Sequence, residues 1–392
     1  MPNRPRILVV RGDLANPWEL RPWELLQERF DVAYLGTPRN WFDVSQIQLR
    51  RIPVKTLGGH LPRGKVGALV SGVAGERYLD ADDAFEWADV VHAAELSFWF
   101  SADAAKRKPR SDFKLVLTVW ETLPFLRVYR NRHARANRDV VLRATDLFLP
   151  ATERARDALL LEGVEADRTM VAYPGVDVER FASAKAPERA PDEHVVISPG
   201  RLVWEKGHQD VMRALAAIRR GLVEGATSGR VRLLVVGAGP EEDRLREYAD
   251  ELGIGADVEF GAVPYEEMPA EFARASCMVL ASLSTAAGGL VLWDLPRVFW
   301  EEQFGMVLAE AMAAGLPIVA SSSGAIPEVC GDAAAYFVPG DWLGLARRLV
   351  EGPLSRPPGT RTEHSAELVR RYSIEAAAER LASAYERVLE GR

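Results

Sequence analysis

The stretch "HVVISPGRLVWEKGHQD", residues 194–210, joins a short apolar run to a loop with two glycines and then to helix-forming residues. A continuous run of apolar and β-branched residues that ends in turn residues is typical of a strand buried on both faces of a parallel sheet. A buried strand that leads through a loop into a helix is the repeating unit of α/β proteins. The stretch therefore predicts an α/β domain in this half of the chain.

The same alternation occurs on both sides of a linker. The stretch "ASAKAPERAPDEH" (182–194) has no hydrophobic period and contains two prolines among mixed charges, which is linker composition. Two doubly wound α/β sheets are therefore expected, with ligand-binding loops at the carboxyl ends of the strands. The end of the chain, "SIEAAAERLASAYERVLEG" (373–391), predicts an amphipathic helix. The predicted strands are "RILVV" (6–10), "DVAYLG" (31–36), "ADVVHA" (88–93) and "FKLVLTV" (113–119) before the linker, and "HVVISPG" (194–200), "VRLLVVGAG" (231–239), "DVEFGAV" (257–263), "SCMVLAS" (276–282) and "LPIVAS" (316–321) after it.

Composition and charge narrow the function class. The chain has 392 residues, which indicates roughly two or three domains, and its 48% hydrophobic and 27% charged residues are those of a soluble globular protein. The formal net charge of −7 argues against nucleic acid as a partner. Two cysteines and six scattered histidines indicate neither a disulfide framework nor a zinc site. The first residues contain no apolar run long enough for a signal peptide or a membrane span, so a cytoplasmic protein is expected.

Two cations lie in the loop of the opening stretch. Arg201 and Lys206 follow Gly200, and both can bind one anion. The Arg201 guanidinium would bind it through two N–H groups, and the Lys206 ammonium as a single charge. A diphosphate fits this pair, although a solvated turn would use the same residues. The next strand ends in "VVGAGPEEDRL" (235–245), where Glu242 replaces the third glycine of a dinucleotide fingerprint, so a tight strand-to-helix turn is expected there.

A second motif, "WEEQFGMVLAEAMAAGLPIVAS" (300–321), places two glutamates around the start of a helix. The helix is expected to begin near Gly305 and to end at Gly315 in the left-handed C′ position. Unpaired amides at a helix start favour an anion, and glycine lets that anion approach. Glu302 and Glu310 are expected on the order of 10 Å apart, so they suit hexose hydroxyls and a ribose diol on either side of a diphosphate. The alternative is that both are ordinary helix residues.

The order and spacing of these segments resemble glycosyltransferase family 4, a family of retaining enzymes with the GT-B fold. The resemblance covers nearly the whole second half, through "GRLVWEKG", "VVGAGPEEDRLRE", "EFGAVPYEEMPAEFARASCMVLAS" and "EEQFGMVLAEAMAAGLPIVASSSGAIPEV". The segment "YPGVDVERF" (173–181) is similar to the start of the family's interdomain region. The resemblance implies two Rossmann-like domains that face a cleft. Residues 1–184, completed by a C-terminal helix at 373–392, would bind the acceptor, and residues 185–372 would bind the nucleotide-sugar donor.

The resemblance also implies roles for individual residues. Glu302 and Glu310 match the family's two glutamates with seven residues between them, while Arg201 and Lys206 match the cations that hold the donor diphosphate. The loop at 262–264 matches the main-chain segment that recognises the base. The implied donor-binding residues are Gly12, Gly200, Arg201, Lys206, Val263, Pro264, Glu302, Phe304, Gly305, Met306, Val307 and Glu310, and the implied catalytic residues are Glu302, Arg201, Lys206 and Glu121.

The first half matches the family less closely. In "VVRGDLANPW" only Gly12 remains of the family's glycine-rich loop, and "DVVHAAE" resembles a common family segment with Glu95 at its acidic position. Where the family often has a histidine near the reacting sugar, "LTVWETLP" offers Trp120 and Glu121. The role of that histidine is therefore either unfilled or taken by Glu121, and a buried Trp120 without a catalytic part is equally compatible.

The resemblance implies transfer of a hexosyl group, with retention, from a UDP-sugar or GDP-sugar to a hydroxyl of a lipid, a glycan or a small molecule. Stabilisation should fall on the leaving diphosphate, at Arg201, Lys206 and the amides of 305–307. No metal or cofactor is expected, because these groups already neutralise the diphosphate. The one D-x-D, "DADD" (80–83), is interpreted as a helix N-cap. Alternatives on the same architecture are a nucleotide-sugar 2-epimerase, a phosphorylase-like enzyme and an inactive sugar-nucleotide-binding protein.

Positive charge and aromatic residues are concentrated in one part of the first half. Residues 101–145 contain eleven lysines and arginines against four acids, and "LSFWF" (96–100) and "LPFLRVY" (123–129) lie beside or within them. This combination is typical of a surface that contacts anionic lipid, so peripheral membrane contact is one interpretation and a solvated basic face is the other. The apolar insertion "AAGGLVLWDLPRVFW" (286–300) is interpreted as a lid over the donor, a lipid contact or a packed loop.

Overall fold

The computed structural model describes residues 4–60, 76–126, 131–185, 192–225, 227, 229–287 and 298–391. The chain divides into two compact units. The first consists of Met1–Gly175 and Ile374–Arg392, and the second of Val176–Ser373.

The boundary between the units lies before the linker that the sequence indicated. The sequence predicts a change of domain at 184–185, whereas the second unit begins at Val176. The reason is packing: the ring of Phe181 lies 5.3 Å from that of Phe272, and Arg180 donates to the Tyr265 carbonyl at 2.8 Å. These contacts hold the residues just before the linker on the second unit.

The first unit is a six-stranded parallel sheet with helices connecting its strands. The strands are β1 (Arg6–Val9), β2 (Asp31–Gly36), β3 (Arg50–Pro53), β4 (Val90–Ala94), β5 (Lys114–Val119) and β6 (Leu147–Pro150). The helices are α1 (Pro17–Glu24), α2 (Leu57–His60), α3 (Asp82–Trp87), α4 (Trp99–Arg107), α5 (Arg132–Ala144) and α6 (Glu153–Leu161). The strand order in the sheet is β3-β2-β1-β4-β5-β6.

The second unit repeats this architecture. Its helices are α7 (Val178–Ala182), α8 (His208–Arg219), α9 (Glu242–Glu251), α10 (Met268–Arg274), α11 (Met306–Ala313), α12 (Ile326–Cys330), α13 (Trp342–Glu351) and α14 (Ala366–Arg371), and α15 (Ile374–Glu390) then returns to the first unit. Its strands are β7 (Glu193–Pro199), β8 (Arg230–Val236), β9 (Val258–Gly261), β10 (Cys277–Leu280), β13 (Ile318–Ser321) and β14 (Ala334–Phe337), with a separate hairpin of β11 (Thr285–Ala287) and β12 (Val298–Trp300). The parallel sheet has the order β14-β13-β10-β7-β8-β9.

Both sheets have the same topology. In each, the first strand of the unit lies in the interior, the next two extend to one side, and the last three extend to the other side. All strand pairs within the two sheets are parallel, and their central strands are buried. The prediction of two doubly wound α/β units is therefore confirmed. In such sheets, the loops after the carboxyl ends of the strands carry the functional groups.

The D-x-D segment begins a helix without capping it. The N-cap position of α3 is Ala81, and no side chain caps the helix there. Asp82 and Asp83 lie in the first turn, where negative charge is favourable to the helix dipole, and Asp82 pairs with Arg107. The N-cap interpretation of this segment was therefore wrong, although the helix begins where the segment indicated.

The final helix packs into the first unit through a buried polar cluster. The hydroxyl of Tyr385 in α15 lies 2.7 Å from Nδ1 of His92 in β4 and accepts the indole N–H of Trp23 at 2.7 Å. Burial holds the pKa of His92 well below its ordinary value, so the imidazole is neutral. The helix predicted at 373–391 is confirmed at Ile374–Glu390, as a built-in part of the first unit.

Candidate functional site

The loop after β7 has a conformation that requires glycine. Gly207 has φ = 73°, and a Cβ at this position would lie 1.9 Å from the Ala281 carbonyl oxygen. The neighbouring loop after β8 packs equally closely: a Cβ on Gly237 would lie 1.9 Å from the Gly200 carbonyl oxygen. These contacts explain the glycines of "VVGAGPEEDRL" by packing, and the tight turn predicted between β8 and α9 is confirmed.

A buried histidine fixes the main chain at Arg201. The ring of His208 contacts the Ser198 hydroxyl at 2.9 Å through Nδ1 and the Arg201 carbonyl at 3.1 Å through Nε2. Burial lowers the pKa of His208 to about 4, so the imidazole stays neutral at physiological pH. The Arg201 side chain is exposed and therefore available to a ligand. Sequence reasoning missed His208, because nothing in "EKGHQD" marks it as buried.

Lys206 and Glu302 form a buried ion pair. The Lys206 ammonium lies 2.6 Å from Oε2 of Glu302, and their side chains are only 14% and 6% exposed. The Ser282 hydroxyl donates to the same oxygen at 2.5 Å. The sequence predicts Lys206 beside Arg201 on a diphosphate and Glu302 on a hexose. In the structure Lys206 and Glu302 are bonded to each other, so the cation and the carboxylate lie side by side.

The backbone around Glu302 is bonded to the loop that follows β13. The Ser323 hydroxyl accepts the Glu302 N–H at 3.2 Å, and the Ala325 N–H donates to the Glu302 carbonyl at 2.8 Å. Gly324 has φ = 54°, and a Cβ there would lie 2.1 Å from the Glu302 carbonyl oxygen. The main chain that carries the carboxylate is thus fixed to the loop after β13 by two hydrogen bonds and a close glycine contact.

The start of α11 has the geometry of an anion site. Gly305 is its N-cap with φ = 77°, and no side chain caps the helix. The predicted start near Gly305 and the left-handed Gly315 with φ = 65° are confirmed. Phe304 is buried against Tyr372, with ring centroids 5.4 Å apart, and anchors the entry to the helix. The first-turn amides, of Met306 and Val307, are available to a phosphate.

Glu310 lies deeper than an ordinary helix glutamate. Its side chain is buried, and burial raises its pKa to about 7, while a hydrogen bond from Tyr265 and the charge of Arg180 act in the opposite direction. Val263 and Pro264 follow β9 and lead directly into Tyr265, with Pro264 exposed. The predicted base-recognition loop therefore contacts the predicted ribose carboxylate through one tyrosine, which the sequence reasoning did not identify.

Gly12 and Glu121 belong to the first unit. Gly12 has φ = 58°, its N–H donates to the Tyr78 hydroxyl at 3.2 Å, and a Cβ would lie 2.5 Å from the Phe100 ring. The Glu121 carboxylate accepts the backbone N–H groups of Thr122 at 3.0 Å and of the next residue at 2.9 Å. Packing accounts for the glycine, and Glu121 shapes its own loop.

Glu95 is a second unusual carboxyl group at the same edge of the first sheet. It follows β4 with φ = 65°, a left-handed conformation that non-glycine residues rarely adopt. Its Oε1 accepts the Trp120 N–H at 2.7 Å. Burial, and to a lesser extent the nearby charge of Glu121, raise the pKa of Glu95 to about 8. The family segment pointed to this position without indicating its strained backbone.

The described residues contain neither a cluster of metal ligands nor a membrane-spanning helix. Within those ranges, no group of three or more histidine, cysteine, aspartate or glutamate side chains is arranged to hold a metal ion. Over the same part of the chain, no helix combines the length and apolar character that crossing a bilayer requires.

Two family models match adjoining parts of the chain. "Glycosyl transferases group 1" matches residues 179–351, and "Glycosyltransferase Family 4" matches residues 73–180. Among curated proteins, the GDP-mannose-dependent alpha-(1-6)-phosphatidylinositol monomannoside mannosyltransferase of Mycolicibacterium smegmatis is 36% identical over 167 residues, which are 41% of this chain and 40% of that protein. The D-inositol 3-phosphate glycosyltransferase of Mycobacterium bovis is 33% identical over 234 residues, 55% of this chain and 44% of that protein. The matches thus span less than half of either relative.

Solved structures resemble the chain along its whole length. Anabaena Alr3699/HepE in complex with UDP and glucose has a TM-score of 0.71 and 18% identity, covering 98% of this chain and 100% of that one. Sucrose-phosphate synthase from Thermosynechococcus elongatus has a TM-score of 0.69 and 19% identity, covering 99% and 100%. This likeness confirms the predicted α/β GT-B fold with two Rossmann-like units. Together with the two family models and the curated relatives, it shows that the chain belongs to glycosyltransferase family 4.

Proposed function

We propose that this chain transfers a hexosyl group from a nucleoside-diphosphate sugar to an acceptor hydroxyl, with retention and without a metal ion. The observation that carries the proposal is the Lys206–Glu302 pair, which lies just before the uncapped start of α11. A carboxylate suits sugar hydroxyls, and helix amides suit a phosphate. The adjacent placement of these two kinds of group matches the junction between a sugar and its diphosphate.

In this proposal, the sugar lies at Glu302 and the diphosphate at the start of α11. Oε2 of Glu302 is engaged by Lys206 and Ser282, so Oε1 accepts a hydrogen bond from a sugar hydroxyl. As the bond between the anomeric carbon and the phosphate oxygen breaks, negative charge grows on the diphosphate. The helix amides and the exposed Arg201 guanidinium stabilise this charge. An acceptor oxygen forms the new bond to the same face, and its proton passes to a phosphate oxygen, which gives retention.

The nucleoside is assigned to the region around Glu310. In its ionised form, the Glu310 carboxylate accepts hydrogen bonds from the two ribose hydroxyls, with Tyr265 beside it. Main-chain groups at Val263 and Pro264 are assigned to the base. The relatives supply the donors to test first, because one is named as GDP-mannose-dependent and a structural neighbour was solved with UDP and glucose.

Thermal unfolding in the presence of UDP-, GDP- and ADP-sugars tests the donor class. A donor at 100 times its Kd adds about 2.7 kcal/mol to the stability of the state that binds it. We expect one nucleotide to raise the midpoint and the other two to have weaker effects. If no sugar nucleotide stabilises the protein at millimolar concentration, the proposal is rejected.

Product analysis separates transfer from the alternatives. Retaining transfer to water releases the nucleoside diphosphate and a free sugar that first has the anomeric configuration of the donor. A 2-epimerase-like reaction would instead yield an epimerised sugar, and an inactive binding protein would leave the donor intact. Because both curated relatives are named as transferases, release of the diphosphate is expected. Retention of configuration is what the proposed same-face mechanism requires.

Peripheral membrane contact, from a cytoplasmic location, is proposed for the acceptor side. Phe125 is 64% exposed, and Phe98 is 36% exposed. The helix α5 carries four arginines and buries only Val141. The remaining basic and aromatic residues at 127–130 lie outside the described residues. The curated mannosyltransferase relative is named for a phosphatidylinositol acceptor, which supports an anionic lipid surface.

Co-sedimentation with liposomes tests this contact. We expect binding to vesicles that contain anionic lipid, and release at high salt, because screening acts within about 8–10 Å. Equal recovery with neutral and anionic vesicles would leave only a solvated basic face.

A further inference from the structure

Two residues, one shortly before the apolar insertion and one at its end, contact the Lys206–Glu302 pair. Its hairpin strands β11 and β12 are antiparallel, with Thr285 opposite Trp300. Ser282 precedes the hairpin and Trp300 is its last residue. Although they are 18 positions apart in sequence, both side chains contact members of the pair. The tip of the insertion, 288–297, lies outside the described residues, and the inference uses only the two ends.

Ser282 contacts the carboxylate itself. Its side chain is fully buried, and its hydroxyl donates to Oε2 of Glu302 at 2.5 Å, the oxygen that also binds Lys206. The neighbouring serines form different bonds: Ser321 and Ser323 donate to main-chain carbonyls. Ser282 is therefore the serine of this group whose hydroxyl bonds directly to the Glu302 carboxylate.

Trp300 contacts the ammonium. Its ring centroid lies 5.0 Å from Nζ of Lys206, within the range of a cation–π interaction. The ammonium is therefore held between an indole and a carboxylate. A lysine held on two sides cannot extend freely toward a more distant phosphate, since its four-carbon stem is otherwise flexible.

We propose that Ser282 and Trp300 are positioning residues for recognition of the transferred sugar: together they hold Lys206 on Oε2 of Glu302 and direct Oε1 to the sugar. The inference rests on the proposed function and makes it more specific. It divides the donor site into two parts with separate supports. Ser282 and Trp300 support the sugar end of the donor site. The start of α11 and the surroundings of Glu310 bind the nucleoside diphosphate without these two residues.

The division predicts which affinities change. Ser282→Ala and Trp300→Leu should leave the Kd of the nucleoside diphosphate within twofold of wild type. Both substitutions should lower the ratio of the affinity for the intact donor to the affinity for the nucleoside diphosphate. For Ser282→Ala, loss of a hydrogen bond to a charged group corresponds to about ten- to a hundredfold in kcat/KM for the donor. For Trp300→Leu, loss of the cation–π contact corresponds to about five- to thirtyfold. Trp300→Phe keeps an aromatic face and should restore most of the loss.

Matched controls come from the same elements. Ser276→Ala removes a buried serine at the other end of β10, where it accepts the Val195 N–H at 3.2 Å. Trp204→Leu removes a 47% exposed tryptophan from the loop that carries Lys206; it lines a separate surface cavity of about 280 Å³ with Tyr248 and Arg213. Both control variants should keep the donor-to-diphosphate affinity ratio of the wild type.

Calorimetry with the diphosphate and with the intact donor, beside steady-state release of diphosphate, provides the readouts. The inference is overturned if Ser282→Ala and Trp300→Leu discriminate the donor like wild type, or if donor and diphosphate affinities fall equally. If Ser282→Ala does not fold, the donor-to-diphosphate affinity ratios of Trp300→Leu and Trp300→Phe test the inference. Equal ratios in these two variants would overturn it. Failure of the wild type to bind any nucleoside diphosphate would instead reject the proposed function, which is a separate outcome.

Discussion

The two units have the same strand order but different chemistry at the ends of their strands. In the second unit, the loops after the strands present a lysine–glutamate pair, an uncapped helix start and several left-handed glycines. In the first unit, the corresponding loops are largely closed by packing, with Gly12 against Phe100 and Glu121 bonded to its own loop. A shared topology therefore does not specify a shared role.

The difference also concerns how carboxyl groups are stabilised. Glu302 has a lysine and a serine as partners, whereas Glu95 of the first unit has a backbone N–H and a pKa raised by burial to about 8. The first arrangement pairs a carboxylate with a cation and a hydroxyl. The second keeps a neutral carboxyl group at physiological pH, which suits a hydrogen-bond donor more than a charged acceptor.

The largest expected effect comes from exchanging the carboxylate of the pair. Glu302→Gln should lower kcat by about 10²–10³-fold, because the sugar loses a charged partner. The nucleoside diphosphate should bind no more weakly than to wild type, since the Lys206 ammonium is released toward it. Steady-state kinetics and calorimetry measure the two effects, with thermal unfolding as a check on folding.

The matched change in the first unit is Glu121→Gln. An amide oxygen can still accept the two backbone N–H groups that Glu121 binds, so we expect kcat to fall by less than tenfold. A loss as large as that of Glu302→Gln would contradict the contrast between the units and would assign Glu121 a direct catalytic part.

Glycine substitutions compare the loops themselves. Gly207→Ala should reduce the free energy of unfolding by about 3 kcal/mol, because left-handed backbone strain of about 1–2 kcal/mol adds to a clash with the Ala281 carbonyl. Gly12→Ala should cost less, since its clash is with the Phe100 side chain at 2.5 Å, whereas that of Gly207 is with a main-chain carbonyl at 1.9 Å. Gly221→Ala, with φ = 66° and open space, measures the strain alone. Urea denaturation measures the free energy of unfolding of the three variants. Equal losses would show that the loops of the two units do not differ in how strictly they require glycine.

A smaller effect is expected from pH. The pKa of Glu310 is raised from 4.5 to about 7, so the ionised carboxylate, which we propose binds the ribose, is lost as pH falls through 7. Nucleoside diphosphate affinity should fall about tenfold between pH 8 and pH 6. For the ligand-free protein the sign is opposite: the native state resists ionisation, so stability decreases as pH rises from about 4.5 to 7. Calorimetry with Glu310→Gln, which should lose this part of the pH dependence, is the control.

The smallest expected effect is that of chelation. EDTA should leave donor turnover unchanged, because in the proposed mechanism Arg201 and the α11 amides act on the diphosphate in place of a metal ion. Loss of turnover that manganese restores would show that these groups of the second unit are insufficient.

The sequence predicted the parts of the fold that depend on local patterns. Buried central strands are continuous apolar runs, and Gly305 and Gly315 mark the ends of a helix by their conformation, so all of these were predictable. The edge strands β3, β6 and β14 were missed, since β3 is partly exposed and the sequences of β6 (LFLP) and β14 (AAYF) contain no β-branched residue. Short strands of this kind lack a clear hydrophobic period.

The candidate site was predictable as a set of residues but not as a set of contacts. Arg201, Lys206, Glu302 and Glu310 were identified through their motifs. The partners were not, because Ser282, Tyr265 and His208 meet them only through tertiary packing. The Lys206–Glu302 bond joins residues 96 positions apart, and no local pattern indicates it.

The return of α15 to the first unit has a consequence for biosynthesis. The whole second unit, 176–373, is translated between the two pieces of the first. At a synthesis rate of roughly 5–20 residues per second, this takes about 10–40 s. During that time His92 and Trp23 lack the Tyr385 hydroxyl that they share in the finished protein. The first unit therefore acquires these last buried contacts only after α15 has been synthesised.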